Sequence, residues 1–454
     1  MRRALALLLV ALTLGCAAPA ARHEAEAPVV AARAPDPTPA SPTPEAPTPA
    51  PQPAAPPAPE APAFRRHVSP AGKADDAGEP SLGVDPRNGA VLYQANLETF
   101  RVDLANDSWT SVAPLTTTLH SEDPILAVDP FTGRVYVSQL MADCSILAWS
   151  DDDGATWTTN PLGCGAGTGF DHQTVGGGPF AAGVTPLGGA KDALYYCSHD
   201  TVTTSCAASR DGGLTFLPAV PVNTAATCDV TGPGHVRVGR DGTVYLPERA
   251  CHGSQDQGFA LSTDGGVTWT QRFLAGVGSQ GESDASLALD ATDKIYFCFE
   301  GGDGHAGVAT TVDRGKTWSK PVDLGAPFGL QNTQFEVAVA GAAGKAACAF
   351  LGTPTPGDDQ AAEFNGTWRL YVAFTWDGGA NWTTLDATPD DVVQQGCIYL
   401  FGNFGPPCRN LYDFMDAAVL PDGRVLVGYA DGDVDGRQAT KGVIAEQVAG
   451  PGLR

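Results

Sequence analysis

Five copies of one short phrase constrain this chain more than anything else in it. "WSDDDGATW" at Trp149, "SRDGGLTF" at Ser209, "STDGGVTW" at Ser262, "TVDRGKTW" at Thr311 and "TWDGGANW" at Thr375 each run through acid and glycine to an aromatic. Short apolar runs lie before and after each copy, the pattern of two strands joined by a tight turn. Glycine takes positive φ at no steric cost, and an aspartate can fold its carboxylate back onto the N–H groups of its own turn. A turn that recurs at a fixed place in repeated strand pairs points to an array of small sheets.

The rest of the chain supplies the units. Seven segments share a short apolar strand, a turn and a second apolar strand: "EPSLGVDPRNGAVLYQAN" from Glu79, "DPILAVDPFTGRVYVSQL" from Asp123, a looser "DHQTVGGGPF" leading to "DALYYCSH" from Asp171, "HVRVGRDGTVYLPE" from His235, "DASLALDATDKIYFCFE" from Asp284, "FEVAVAGAAGKAACAF" from Phe335 and "DAAVLPDGRVLVGYAD" from Asp416. They recur every ~40–80 residues, which predicts an all-β propeller of seven four-stranded blades. Six blades is the alternative if the first or third unit is incomplete. The seventh unit runs out after three strands, and "FRRHVSP" at 64–70 is placed to supply its fourth, closing the ring and removing a sheet edge.

The pattern S/T-x-D-x-G-x-T-W resembles the Asp-box, or BNR, repeat of sialidases and many other secreted propellers. The resemblance implies that Asp153, Asp211, Asp264, Asp313 and Asp377 are structural acids. Gly154, Gly212, Gly265, Gly315 and Gly378 would be their turn glycines, and Trp157, Phe216, Trp269, Trp318 and Trp382 would pack between sheets. It also implies that these turns lie away from the face that carries chemistry.

The chain opens "MRRALALLLVALTLGC", two arginines and an apolar run too short to span a bilayer. Residues 1–16 read as an export signal whose end resembles the lipobox of bacterial lipoproteins, with Cys16 as the lipidated residue. Cleavage at "APA" and release into the medium is the alternative. Residues 17–63 are rich in Pro and Ala and cannot offset the entropy of ordering, so a tether is expected there and the propeller over 64–454. Membrane association through the lipid anchor alone, and a monomer, are expected. The formal charge of −24 argues against nucleic acid as partner.

Of eleven cysteines, ten remain once Cys16 is set aside, enough for five disulfides in an oxidising compartment. Spacing does not fix connectivity. Loop positions suggest Cys144–Cys164, Cys197–Cys206, Cys228–Cys251 and Cys397–Cys408, and matching places in neighbouring second strands suggest Cys298–Cys348, together bracing one face.

Propeller ligands usually sit over the central channel, where the innermost strands begin. The polar residues there are Glu79, Asp123, Asp171, His172, His235, Asp284, Glu336 and Asp416. They are either strand caps or an acidic ring able to hold Ca²⁺, with Asp123, Asp171 and Asp284 as its ligands. His172, His235 and His252 lack zinc spacing. Sialidases clamp a substrate carboxylate between arginines and use a tyrosine with a glutamate. Arg237, Arg249, Arg369, Arg409, Tyr412, Glu336 and Glu248 are the candidates for those roles, but the arginine signature ahead of the first box is missing; "TFRVD" at Thr99 is the nearest segment. The expectation is therefore a propeller that binds a glycan or protein without turning it over, with a sialidase-like glycoside hydrolase as the alternative. The three glycines of "GFDHQTVGGGPF" imply close approach of a ligand or a neighbouring loop at Gly177.

Overall fold

Each apolar run that alternates with a turn becomes a strand, and four consecutive strands form one twisted antiparallel sheet. In this computed structural model the described residues are 60–454, except 73, 76, 116–122, 143, 282, 401–407 and 433–439. The export signal, Cys16 and nearly all of the expected tether lie outside the described residues. Ala63, its last position, already opens the first strand.

Seven such sheets are present. Their innermost strands are Ser81–Val84, Pro124–Val128, Asp171–Gly178, Arg237–Val238, Ser286–Leu289, Asn332–Ala340 and Asp416–Val419, in blades one to seven. Blade six carries an extra two-residue strand, Gln394–Gln395, beside its third. Blade seven is completed by Ala63–Val68, which pairs antiparallel with Lys441–Ala449. His67 locks this closure: its ring is buried and its Nε2 lies 2.9 Å from Glu446 Oε2. The seven-bladed, four-stranded expectation is met.

The core lies between neighbouring sheets. Tyr245, Phe259, Phe297 and Trp318 fill the space between blades four and five. Trp157 and Trp318, the last residues of their phrases, reach back to donate from Nε1 to the carbonyls of Val112 (2.7 Å) and Phe273 (3.0 Å) in the preceding blade.

The five recurring turns share one hydrogen-bonded geometry. The hydroxyl of Ser150, Ser209, Ser262, Thr311 or Thr375 accepts the N–H four residues on at 2.8–3.0 Å. The aspartate two residues on accepts the N–H of a Thr or Asn four residues beyond itself, again at 2.8–3.0 Å. In the first copy that aspartate is Asp152, which corrects the assignment to Asp153. Three aspartates stand in a row there, and only the middle one is in register with the serine. Asp153 instead occupies the next position, at φ 54. Three glycine assignments shift as well, because those turns carry two successive glycines and the shared place is the second. Every turn has two successive positive-φ residues, and Gly212, Gly265 and Gly378 hold the first place, where Asp153 and Arg314 are tolerated. The second place is always glycine: Gly154, Gly213, Gly266, Gly315 or Gly379.

Five disulfides join the pairs given above. They do not all brace loops. Cys197 and Cys206 face each other across adjacent strands of blade three. Cys298 and Cys348 are fully buried and stitch the second strand of blade five to that of blade six.

Candidate functional site

The inner strand of each blade is a sheet edge whose outward N–H groups need acceptors. Side chains of the preceding blade supply them. Asp416 Oδ2 accepts from Leu82 N at 3.1 Å and Asp123 Oδ2 from His172 N at 2.7 Å. Thr174 accepts from Val236 N at 3.0 Å, Ser283 from Phe335 N at 2.8 Å and Ser286 from Ala338 N at 3.1 Å. Much of the polar character at the strand starts is therefore a latch running from blade to blade. The glycines of blade three serve the same close approach. A Cβ at Gly176 would meet Val236 O at 2.7 Å, and one at Gly177 would meet Asp129 Oδ2 at 2.7 Å.

A chain of buried charges crosses the upper mouth, the end where inner strands begin. His172 sits at φ 49, and its Nε2 lies 2.6 Å from Asp284 Oδ2. Asp284 Oδ1 also accepts from Arg249 Nη1 at 3.1 Å, and Arg249 Nε donates to Asp229 Oδ2 at 3.2 Å. Burial works against a charged imidazole, but Asp284, then Asp413 and Asp123, outweigh it and hold the pKa of His172 up at about 9. It is an imidazolium at neutral pH. Burial raises Asp123 to about 6.

A second group lies beside the first. Arg409 holds Asp413 with both terminal nitrogens, Nη2 to Oδ2 at 3.0 Å, and lies over the ring of Tyr412 at 5.5 Å. Burial opposes ionisation of Asp413, yet Arg409 keeps its carboxylate below the usual range. Glu79 is buried against it, and burial followed by the charges of Asp413 and Asp123 pushes Glu79 well above the usual range. One carboxyl is pushed up beside one that is held down.

Phe414 packs edge-on against His235 at this mouth, at 4.6 Å between ring centres. The space left among His235, Asp284, Glu336, Asp413 and Phe414 is about 20 Å³, room for about one water. Burial and nearby Arg237 and His172 lower His235 well below the usual range, so it is neutral.

The structure separates several residues that the sequence groups. Asp123, Asp171 and Asp284 do not converge as a calcium cage among the described residues: Asp284 is occupied by His172 and Arg249, while Asp123 and Asp171 both turn to His172 N. The tightest cluster of metal-ligating residue types described is Cys228, Glu248 and Cys251, but both cysteines are tied in their disulfide. Glu248 is buried there, and burial raises it to about 8. Glu336 bonds Thr333 at 2.8 Å, and burial raises it to about 7. Arg369 donates at 2.6 Å to the carbonyls of Thr388 and Pro389 and so braces a loop. His252 is partly exposed on Asp256 at 2.7 Å. Arg237 lies below the mouth, in the channel, 3.6 Å from Asp416.

Sequence reasoning overlooked Asp413 and Asp229. The spacing of Arg409 and Asp413 in "RNLYD" is the one local signal for the first; Asp229 gains its role only through Arg249, twenty residues away. Each of Arg237, Arg249 and Arg409 thus faces an aspartate of the protein itself. The arrangement can present a fixed pattern of donors and acceptors, and it can move a proton at Glu79.

No family profile matches the chain, and no curated protein does. Solved structures do. A GH74 enzyme from Niastella koreensis is 16% identical with a TM-score of 0.50, over 83% of this chain and 55% of that one. This chain therefore spans about half the length of that enzyme. A PL25 ulvan lyase is 12% identical (TM-score 0.45; 85% and 96% covered). An intramolecular trans-sialidase from Ruminococcus gnavus is 14% identical (TM-score 0.39; 84% and 96% covered). At such identities the likeness is one of fold alone, that of a β-propeller.

Proposed function

We propose that this chain is an exported propeller, held at the bacterial cell envelope through Cys16, that binds a glycan or a protein through its upper mouth without turning it over. The observation that carries the reading is the pairing of the candidate arginines. A carboxylate clamp needs guanidinium donors left for the ligand, whereas Arg249 and Arg409 already hold Asp229, Asp284 and Asp413. The disulfides Cys144–Cys164 and Cys228–Cys251, which hold loops on this side, suit a surface kept rigid for recognition. The hydrogen bonding of the five turns supports the Asp-box resemblance, and the GH74 likeness supports a glycan as ligand.

One observation favours a sialidase-like hydrolase as the second reading. Glu79 and Asp413 are neighbouring carboxyls whose pKa values are pushed apart in opposite directions, as those of an acid and a base would be. The test offers fluorogenic glycosides, sialosides included, to the oxidised full chain with and without Ca²⁺, alongside an immobilised glycan array. Retention on the array without turnover is expected. Turnover that survives repurification and disappears in Glu79→Gln would overturn the binding reading.

A further inference from the structure

Beneath the upper mouth lies the central channel. A cavity of about 320 Å³ runs along it, walled by all seven inner strands and reaching the turns that follow them at Pro86, Pro130, Arg240 and Gly341. Phe414 and His235 pack edge-on at its upper end, and its lining extends to the lower-face turns. Its volume falls at the small end of ligand-binding pockets.

The wall is mostly small and apolar, including Leu82, Val175, Ala338 and Val419, and three arginines interrupt it. Arg237 lies deep, with about a quarter of its side chain (28%) open. Arg240 and Arg454 stand at the entrance. Among the described residues Arg237 has one ionic contact, Asp416 at 3.6 Å, beyond good hydrogen-bonding distance. Asp416 is itself satisfied by the N–H groups of Leu82 and Ala417. The entrance acids are likewise engaged by backbone: Asp290 accepts from Thr292 N and Gly344 N, both at 2.8 Å, and Asp293 from Arg240 N at 3.1 Å. Three arginines and three aspartates thus share the lining, but the carboxylates are taken up by backbone N–H groups while the guanidinium of Arg237 has only its 3.6 Å contact.

We propose that the channel binds a small organic anion, a carboxylate with a short unbranched apolar tail. The carboxylate lies on the fork of Arg237, which is planar and suits two parallel hydrogen bonds. The tail lies against the apolar wall, and Arg240 and Arg454 draw the anion in. This site is separate from the upper mouth and does not depend on the function proposed for it.

Hexanoate and inorganic phosphate, titrated separately into the full chain and followed by calorimetry, test the proposal. Hexanoate is expected to bind and phosphate to bind more weakly. Arg237→Met should weaken hexanoate by about tenfold or more, while replacing Arg240 and Arg454 with Ala should weaken it less and flatten its salt dependence. If Arg237→Met loses its cooperative melt, Arg237→Lys keeps the charge without the fork and should still bind more weakly than the wild type. Unchanged hexanoate affinity in a folded Arg237 variant, phosphate binding as tight as hexanoate, or no binding by the folded wild type at millimolar hexanoate would each overturn it.

Discussion

At the lower face, Asp313 and Asp377 stand at the solvent boundary, and hydrogen bonds from Thr317 and Asn381 lower each of them to about 2. At the upper mouth, burial raises Asp123 to about 6, and Glu79 rises well above its usual range. The same carboxyl chemistry meets opposite circumstances at the two faces. A turn aspartate receives N–H and O–H donors from within eight residues of sequence, so its ionised form is favoured wherever the phrase occurs. A mouth carboxylate meets residues from other blades, and its protonation depends on which of them are cationic. The lower face is local chemistry repeated, whereas the upper mouth is a single network.

The largest expected effect breaks that network. Arg249→Met would leave Asp229 without its arginine and Asp284 with His172 alone, and removing one member of a buried ionic group typically costs ~3–5 kcal/mol. Chemical denaturation should show a shift of that order, with the sheets otherwise intact by circular dichroism.

A lower-face turn should yield less. Ser262 is buried, accepts from Gly266 N at 2.9 Å and donates to Asp264 at 2.8 Å, so Ser262→Ala should cost ~1–2 kcal/mol by the same assay. In the first turn, Asp152→Ala should lower the melting temperature while Asp153→Gly should leave it nearly unchanged. The reverse order would restore Asp153 as the structural acid.

The two faces should also lose stability at opposite ends of the pH scale. His172 has a folded pKa of about 9, above the usual imidazole value. Its contribution is complete below the unfolded value of ~6.5 and disappears as pH rises through about 9. The turn acids Asp313 and Asp377 are lowered to about 2, so their contribution is present above the unfolded value of ~4 and fades as pH falls toward 2. Imidazole resonances of His172 that titrate near pH 6.5 would remove the first half of this contrast.

The smallest effect is expected at the surface pair of Arg314 and Asp241, which links a turn of blade five to one of blade four. Both are about half exposed, so Arg314→Ala should cost less than ~1 kcal/mol and less still at high salt.

The sequence by itself determined the repeat and therefore the architecture. Alternating strands and turns repeat seven times, and "FRRHVSP" at 64–70 pairs with the last strand because an incomplete blade would leave an edge. Information of that kind lies within a few residues of itself. Even there, the three aspartates at 151–153 left a register that only the hydrogen bond to Thr156 resolves. Tertiary structure alone decided the character of the upper mouth. The polar residues that begin the inner strands could be ligands or latches. Asp123 and Asp416 became latches because the neighbouring strand's N–H faces them. Asp413 was unremarkable in the sequence until Arg409, Glu79 and His172 were brought around it. Arg237, grouped from sequence with the mouth, belongs to the channel because the seven inner strands enclose it there. A turn's energetics are short-ranged and travel with its phrase. The protonation and pairing of a buried charge are set by neighbours that only the closed ring assembles.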